Sequence, residues 1–218
     1  QSEDDLILLI TWLLAAYRSK GPYPVLAICG EKDAGKTTAT RLIRSLVDPN
    51  KVAISDLPRN GEELIFCAEQ QHVLAFDNLA PVKPNLSDAL CRLSTGGGYR
   101  TRKLYSDKDE VTFDAMRPII LNGIGNLVTR PDLVDRCIFL LLEPILDDER
   151  ISEDEYWSEF EKEKPLILGA LFNGLVAGLK NLPDLEPQPL LRMADAMRWA
   201  IACETAYWDP GTVAAAYR

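Results

Sequence analysis

The sequence predicts an α/β fold: a five-stranded parallel sheet flanked by helices, followed by a C-terminal helical lid. Three observations carry this. Five short apolar runs alternate with helix-compatible segments, and strands buried on both faces of a parallel sheet read as continuous apolar runs. A loop with two glycines joins the first run to a helix. After Pro144 the strand pattern stops and longer helical stretches take over. With 218 residues, 47% of them hydrophobic, the chain can bury the core of such a domain and of a smaller helical one. The expected division is an N-terminal helix over 1–20, the sheet domain over 21–146 and a helical subdomain over 147–218.

The elements follow in order. Asp4 and Asp5 suit a helix start, and the helix should run to about residue 19, where Gly21-Pro22 breaks it. PVLAIC, 24–29, is the first strand. GEKDAGKTT follows, then a helix to about residue 47. VAIS, 52–55, reads as a strand and 61–70 as a helix. HVLAFDNLA contains the next strand, 73–77, which ends in Asp77. Pro81 and Pro84 mark a loop, and 86–93 suits a helix. Within 96–114, two alternating runs flank SDKD, a hairpin pattern. RPIILNG, 117–123, is a buried strand carrying Asn122 near its end. RPDLVDR, 130–136, is a helical turn, and CIFLLL, 137–142, is the fifth buried strand. DDERISEDEYWSEFEKEK is charged with apolar punctuation, and 166–182 is a strongly apolar helix. PDLEPQP, 183–189, is a Pro-rich linker before a last helix over 190–206.

Composition excludes several classes. A net charge of −9 means that the surface as a whole is no nucleic-acid footprint, so any DNA contact needs a local basic patch. The five cysteines form no CxxC pair and are expected as reduced, buried thiols of a cytoplasmic protein. His72 is the one histidine, which leaves no basis for a His-based metal site or triad. The apolar run over 6–16 is shorter than the ~20 residues needed to span a bilayer, and it lacks the flanks of a signal peptide. No membrane attachment is expected. Starting at Gln1 and stopping at Arg218 in an Ala-rich stretch, the sequence reads as a piece of a longer protein.

The clearest chemistry lies in Gly30-Glu31-Lys32-Asp33-Ala34-Gly35-Lys36-Thr37, followed by Thr38. It fits GxxxxGK[ST] without mismatch, between a buried strand and a helix. Gly30 and Gly35 allow a tight turn around phosphate where a Cβ would intrude. Backbone N–H groups at the helix start present positive potential to the phosphates. Lys36 would reach the β- and γ-phosphates, and Thr37 would take a place on Mg²⁺. A phosphate cradle by itself does not separate a kinase, a GTPase and an ATPase.

Asp77 supplies a carboxylate for Mg²⁺ beside Thr37, or else caps the following loop. The next residue, Asn78, can orient a water but cannot take its proton; Glu62, Glu63 or Glu69 would have to act instead if a base is needed. Asn122 either positions the attacking water or is a turn residue before Gly123. Arg136 either stabilises the γ-phosphate of an adjacent subunit, as arginine fingers do, or pairs at the surface with Asp132 or Asp135. Arg130 is the second such candidate, and Arg192 is a candidate phosphate contact from the lid. Tyr99, Arg100, Arg102, Lys103 and Lys108 form the clearest local basic cluster, with Tyr105 also interleaved. Lys and Arg neutralise phosphates and a Tyr stacks on bases; the alternative is an exposed hairpin with ordinary charges.

Taken together, the cradle, Asp77-Asn78, Asn122 and Arg136 resemble AAA+ P-loop ATPases. STGGGYRTRKLY ahead of a strand carrying an Asn resembles superfamily-3 helicases of phage, plasmid and viral primase–helicase proteins. The resemblance covers roughly residues 24–142. It implies an AAA+-like sheet, ATP and Mg²⁺ as ligands, and ATP sites between subunits of a ring, usually a hexamer. It further implies a hairpin lining a central channel and movement along single-stranded DNA. It also tolerates Asn78, because that family accepts Asp or Asn after the first carboxylate. Asp135 stands where a related motif has Ser. Two other readings stay open: a non-motor adaptor or loader that binds a protein partner with little hydrolysis, and, less well matched, a P-loop kinase.

Overall fold

The computed structural model describes residues 2–102, 110–113, 116–185 and 193–217. Helix α1 (Glu3–Ala16) opens on a reciprocal cap, in which Ser2 Oγ accepts from the Asp5 backbone and the Asp5 carboxylate accepts from the Ser2 backbone. Strand β1 (Val25–Gly30) leads into α2 (Lys36–Val47). Helix α3 (Gly61–Gln70) is capped by Asn60 and followed by β2 (Leu74–Leu79) and α4 (Pro84–Thr95). Strands β3 (Tyr99–Arg102) and β4 (Glu110–Phe113) form an antiparallel pair, with Arg102 opposite Glu110. Then come β5 (Ile119–Gly123), the one-turn α5 (Pro131–Val134) and β6 (Cys137–Leu142). Helices α6 (Glu153–Asn181), α7 (Ala194–Glu204) and α8 (Thr212–Ala216) complete the chain. Lys103 and Lys108 of the expected basic cluster, and Arg192, lie outside the described residues.

The main sheet has four strands, all parallel, in the order β2-β5-β1-β6. This corrects the expectation of five. The run over 52–55 contributes a single bridge, Ser55 to Phe76, held by Ser55 N to Ala75 O at 3.1 Å and Asp77 N to Ser55 O at 3.0 Å. Val52 points its side chain largely to solvent, and Pro58 soon follows, without an N–H to extend a ladder.

Alternate residues of the strands feed two cores. One face gathers Leu26, Ile28, Ile120 and Ile138 with Trp12, Ile43 and Trp199 from the helices. The other gathers Val25, Leu74, Ile119 and Leu121 with Leu64 of α3 and Leu90 of α4. Strand β6 departs from the expectation of a strand buried on both sides. Ile138 and Leu140 are buried, whereas Phe139 and Leu141 are 42% and 66% exposed. At the edge of the sheet, only one face of β6 is covered among the described residues.

The first core joins the two ends of the chain. Trp12 Nε1 donates to Pro24 O at 2.8 Å, and Trp199 Nε1 of α7 donates to Leu14 O of α1 at 2.9 Å. His72 serves the same layer, its Nε2 lying 2.8 Å from Ala16 O. None of the five thiols is in a disulfide, and burial holds all five above their ordinary pKa, Cys203 at about 12.

Helix α6 is one continuous helix, where the sequence suggested a charged stretch and a separate apolar helix. Ser152 caps it, and Pro165 sits inside it at the cost of one backbone hydrogen bond. Leu166, Phe172, Val176 and Leu179 are at least half exposed along it. By length and composition alone, Glu153–Asp184 would suffice to cross a membrane, and 17% of its most apolar window is buried. The buried side is built on close approach to α7. A Cβ added at Gly178 would lie 2.4 Å from Cys203 Sγ and about as close as 3.0 Å to the Trp199 ring. We therefore expect Gly178→Ala to destabilise the protein by about 1–3 kcal/mol, the range for overpacking. Urea unfolding followed by tryptophan fluorescence measures this.

Candidate functional site

Parallel strands point their C-terminal ends the same way, so the ends of β1, β2 and β5 converge on one edge of the sheet. The loop 31–35 leaves β1 at that edge and turns into α2. Two residues of it, Asp33 (φ 65°) and Gly35 (φ 71°), adopt the left-handed conformation. Gly35 does so without strain, and Asp is among the few side chains that tolerate it. Alternation of this kind bends successive N–H groups into a concave, anion-attracting surface, which the free N–H groups of the α2 start extend. Gly30 is constrained differently from the expectation. A Cβ there would sit 2.5 Å from the Leu142 carbonyl of β6, so the neighbouring strand, before any ligand, requires the glycine. Glu31, Lys32 and Asp33 are exposed and Ala34 is buried. The Lys36 ammonium folds over the loop onto the Glu31 carbonyl.

Thr37 follows in the first turn of α2. Its hydroxyl lies 2.9 Å and 3.2 Å from the two carboxylate oxygens of Asp77, and donates to them. The helix start and the end of β2 are thereby joined at the polar edge of the sheet. A hydroxyl and a carboxylate beside the 31–35 loop are oxygen donors of the kind Mg²⁺ takes, an ion that keeps several waters and few protein ligands. No group of three His, Cys, Asp or Glu side chains that would suit a softer or more fully protein-bound metal occurs among the described residues.

Strand β2 bulges just past this point. Its pairing with β5 shifts between Phe76 and Leu79, and Asn78 sits in the left-handed region at φ 53°. Asn78 is exposed, and its backbone N–H lies 2.7 Å from Asp77 Oδ1 and 3.2 Å from Asn122 Oδ1. Asn122 itself is fully buried. Its amide Nδ2 donates to Thr40 Oγ1 at 2.7 Å, and the Thr40 hydroxyl donates to Lys36 O at 2.9 Å. The Asn122 amide thus faces inward and ties the bulge of β2, the end of β5 and the first turn of α2. Thr40 is a member of this network that sequence reasoning missed. Its spacing of one helical turn from Lys36 is the only signal it gave.

Arg136 lies at the opposite end of the sheet. Its carbonyl accepts from Val25 N at 2.9 Å, so it is level with the start of β1. Five residue steps along the strand separate that level from Gly30, about 17 Å at 3.3 Å per residue. Same-chain contact with a phosphate in the loop is out of reach. Its side chain bonds the Asp132 carbonyl, and its buried Nε has no partner among the described residues. Arg130 pairs with Asp88 at 3.1 Å and Asp132 at 3.6 Å. Of the candidate carboxylates, Glu63 caps α3 by accepting from Arg59 N and Asn60 Nδ2. Neither Glu62, Glu63 nor Glu69 lines the cavity at the loop. The cavity, about 380 Å³, is lined instead by residues 33–38, Ile145 and Arg150. The last two were also missed.

A family model described as an actinomycete integrative conjugative element replication protein matches residues 2–218. No curated protein matches the chain. Among solved structures, the chain is similar to the JCV helicase crystallised with a small-molecule ligand. Sequence identity is 13% and the TM-score 0.43, with 92% of this chain and 60% of that chain covered. The chain thus spans less than two thirds of that solved chain.

The buried amide makes a direct stability test. Asn122→Leu removes one partner from both the Asn78 N–H and the Thr40 hydroxyl, each of which keeps another, at about 1 kcal/mol per lost hydrogen bond. We expect a matching fall in unfolding free energy in urea, with Thr40→Val and the double variant showing the two losses to be less than additive.

Proposed function

The chain belongs to the actinomycete integrative conjugative element replication protein family, and from that premise we propose that it is an ATP-binding and ATP-hydrolysing module of AAA+ type. Its work would be helicase or translocase action on single-stranded DNA. The observation that carries this is the contact of Thr37 with Asp77 beside the left-handed turn of the loop.

In this reading the loop N–H groups and the α2 start hold the β- and γ-phosphates. Lys36 leaves the Glu31 carbonyl to reach them. Thr37 and Asp77 would hold Mg²⁺ at this corner. Bound Mg²⁺ supplies charge neutralisation at the phosphates. Asn78 has no proton-accepting group, so the protein's contribution is positioning and charge stabilisation rather than base catalysis. Asn122 acts through Asn78, by fixing the bulge that exposes it.

Arg136 completes the site from a second copy. Its distance from the loop of its own chain supports that role, and the uncovered Phe139–Leu141 face of β6 is a surface that a neighbour would cover. A ring, with the hexamer as its expected size, would bring the β3–β4 pair and its Arg100 and Arg102 around a channel for DNA.

A second reading is favoured by one observation. No carboxylate follows Asp77, and Glu62, Glu63 and Glu69 do not line the loop cavity. A nucleotide switch that binds ATP, turns it over negligibly and docks a protein would have this arrangement.

Steady-state ATP turnover separates the two. For the motor we expect turnover per chain to rise with protein concentration and with single-stranded DNA. Lys36→Ala and Arg136→Ala should each reduce it by at least ~10³-fold, in line with arginine fingers elsewhere. Mixing the two variants should restore part of it, because one supplies an intact cradle and the other an intact finger. Tight binding without turnover under all conditions would favour the switch, and fast turnover by a monomer would remove both the switch and the shared site.

A further inference from the structure

A second cavity adjoins the first. It measures about 500 Å³ and runs from Ala34, Gly35 and Thr38 of the loop and helix to Ile145, Ile151 and Tyr156. The two cavities share the loop on one side and Arg150 on the other. The segment that forms the far wall is pinned in place. Ile145 N donates to Asp33 O at 3.4 Å, and the Ile145 side chain packs on Gly35. The start of α6 is held to α2 by Arg41 and Glu153 at 3.0 Å, and Trp157 Nε1 donates to the same carboxylate at 3.3 Å.

Arg150 lies between these two fixings, at the boundary of the cavities. Its one ion pair among the described residues is with Asp147 at 3.4 Å, a carboxylate 95% exposed. Exposed pairs of this kind contribute roughly 0–1 kcal/mol. A guanidinium meets phosphate oxygens through two parallel N–H bonds, and such charge-assisted contacts are stronger. The partner it holds is therefore weaker than the one the cavity would offer. The second cavity is the more apolar of the two, although the Glu149 and Glu153 carboxylates also line it. Ile145 and Ile151 are 39% and 50% exposed there, with the Tyr156 ring beside them. A cavity at the loop opening into a more apolar one, with a cation between, suits a nucleoside triphosphate laid across the two.

We propose that Arg150 is a same-chain ligand of the nucleotide's phosphates, exchanged from Asp147 on binding, and that Ile145, Ile151 and Tyr156 take the base. This rests on the reading of the loop as a nucleotide site. Arg150 differs in kind from Arg136, which acts between copies: Arg150 contributes to binding in a single chain.

Calorimetric titration with MgATP and with magnesium tripolyphosphate, which has the phosphates without the base, tests both halves. Arg150→Ala should weaken both ligands by about 10- to 100-fold, the equivalent of one charged hydrogen-bonded contact, and Arg150→Lys by less. Asp147→Asn should leave ATP affinity equal or higher, since it frees the arginine. Tyr156→Ala should weaken ATP and leave tripolyphosphate unchanged. Unaltered melting temperatures keep these comparisons on folded protein. ATP affinity in Arg150→Ala equal to the unsubstituted protein, with Lys36→Ala not binding, would overturn the role of Arg150 alone. Equal loss of both ligands in Tyr156→Ala would overturn the base assignment. No binding of either ligand by the unsubstituted protein would remove the nucleotide reading and this one with it.

Discussion

The contact between the Thr37 hydroxyl and the Asp77 carboxylate is the constraint on which the rest of the site depends. It requires the first turn of α2 to lie over the end of β2, although β5 and β1 follow it in the sheet order. Only a parallel sheet gives both strands ends on the same edge. Only a tight left-handed loop lets α2 start so close to β1. The two apolar cores then hold this edge rigid from either face of the sheet. A polar pair that would be ordinary elsewhere becomes an oxygen-lined corner beside a row of N–H donors.

Asn122 makes that corner reproducible. It is fully buried, and a buried amide is tolerated when its donor and acceptor are engaged. Here they link the bulge after Asp77 to Thr40 and, through it, to the Lys36 carbonyl. Displacement of α2 or of the β2 end would break one of these bonds. The role is that of a tie between three elements. Arg136 stands at the far end of the same strands, where the sheet itself keeps it from its own loop. Beside it, one face of β6 is bare among the described residues.

Much of this was legible in the sequence because the physics is local. Continuous apolar runs specified β1, β2 and β5, and the GxxxxGK[ST] spacing placed the loop between a strand and a helix. Helix α3 matches the expected 61–70, and the structure adds the reason for its start, the cap made by Asn60. The failures have equally physical causes. VAIS has strand composition, but Pro58 and a turn leave it one bridge long. CIFLLL is apolar at every position, so its sequence does not show that Phe139 and Leu141 lack cover. Helix α6 was split because its first half is charged and Pro165 sits inside it. Ile145, Arg150 and Tyr156 gave no local signal. They reach the loop only because the segment after β6 folds back beside Asp33, a contact made by tertiary structure.

The proposed function requires Thr37 and Asp77 to make a magnesium-dependent nucleotide site. The most direct measurement is the ATP affinity of the unsubstituted protein with excess Mg²⁺ and with a chelator, beside that of Asp77→Ala under both conditions. We expect Mg²⁺ to tighten binding by about tenfold or more, equivalent to at least ~1.4 kcal/mol, and Asp77→Ala to lose that gain while keeping the metal-free affinity. Binding that is indifferent to both Mg²⁺ and Asp77 would contradict this and leave the contact with Thr37 as a structural tie.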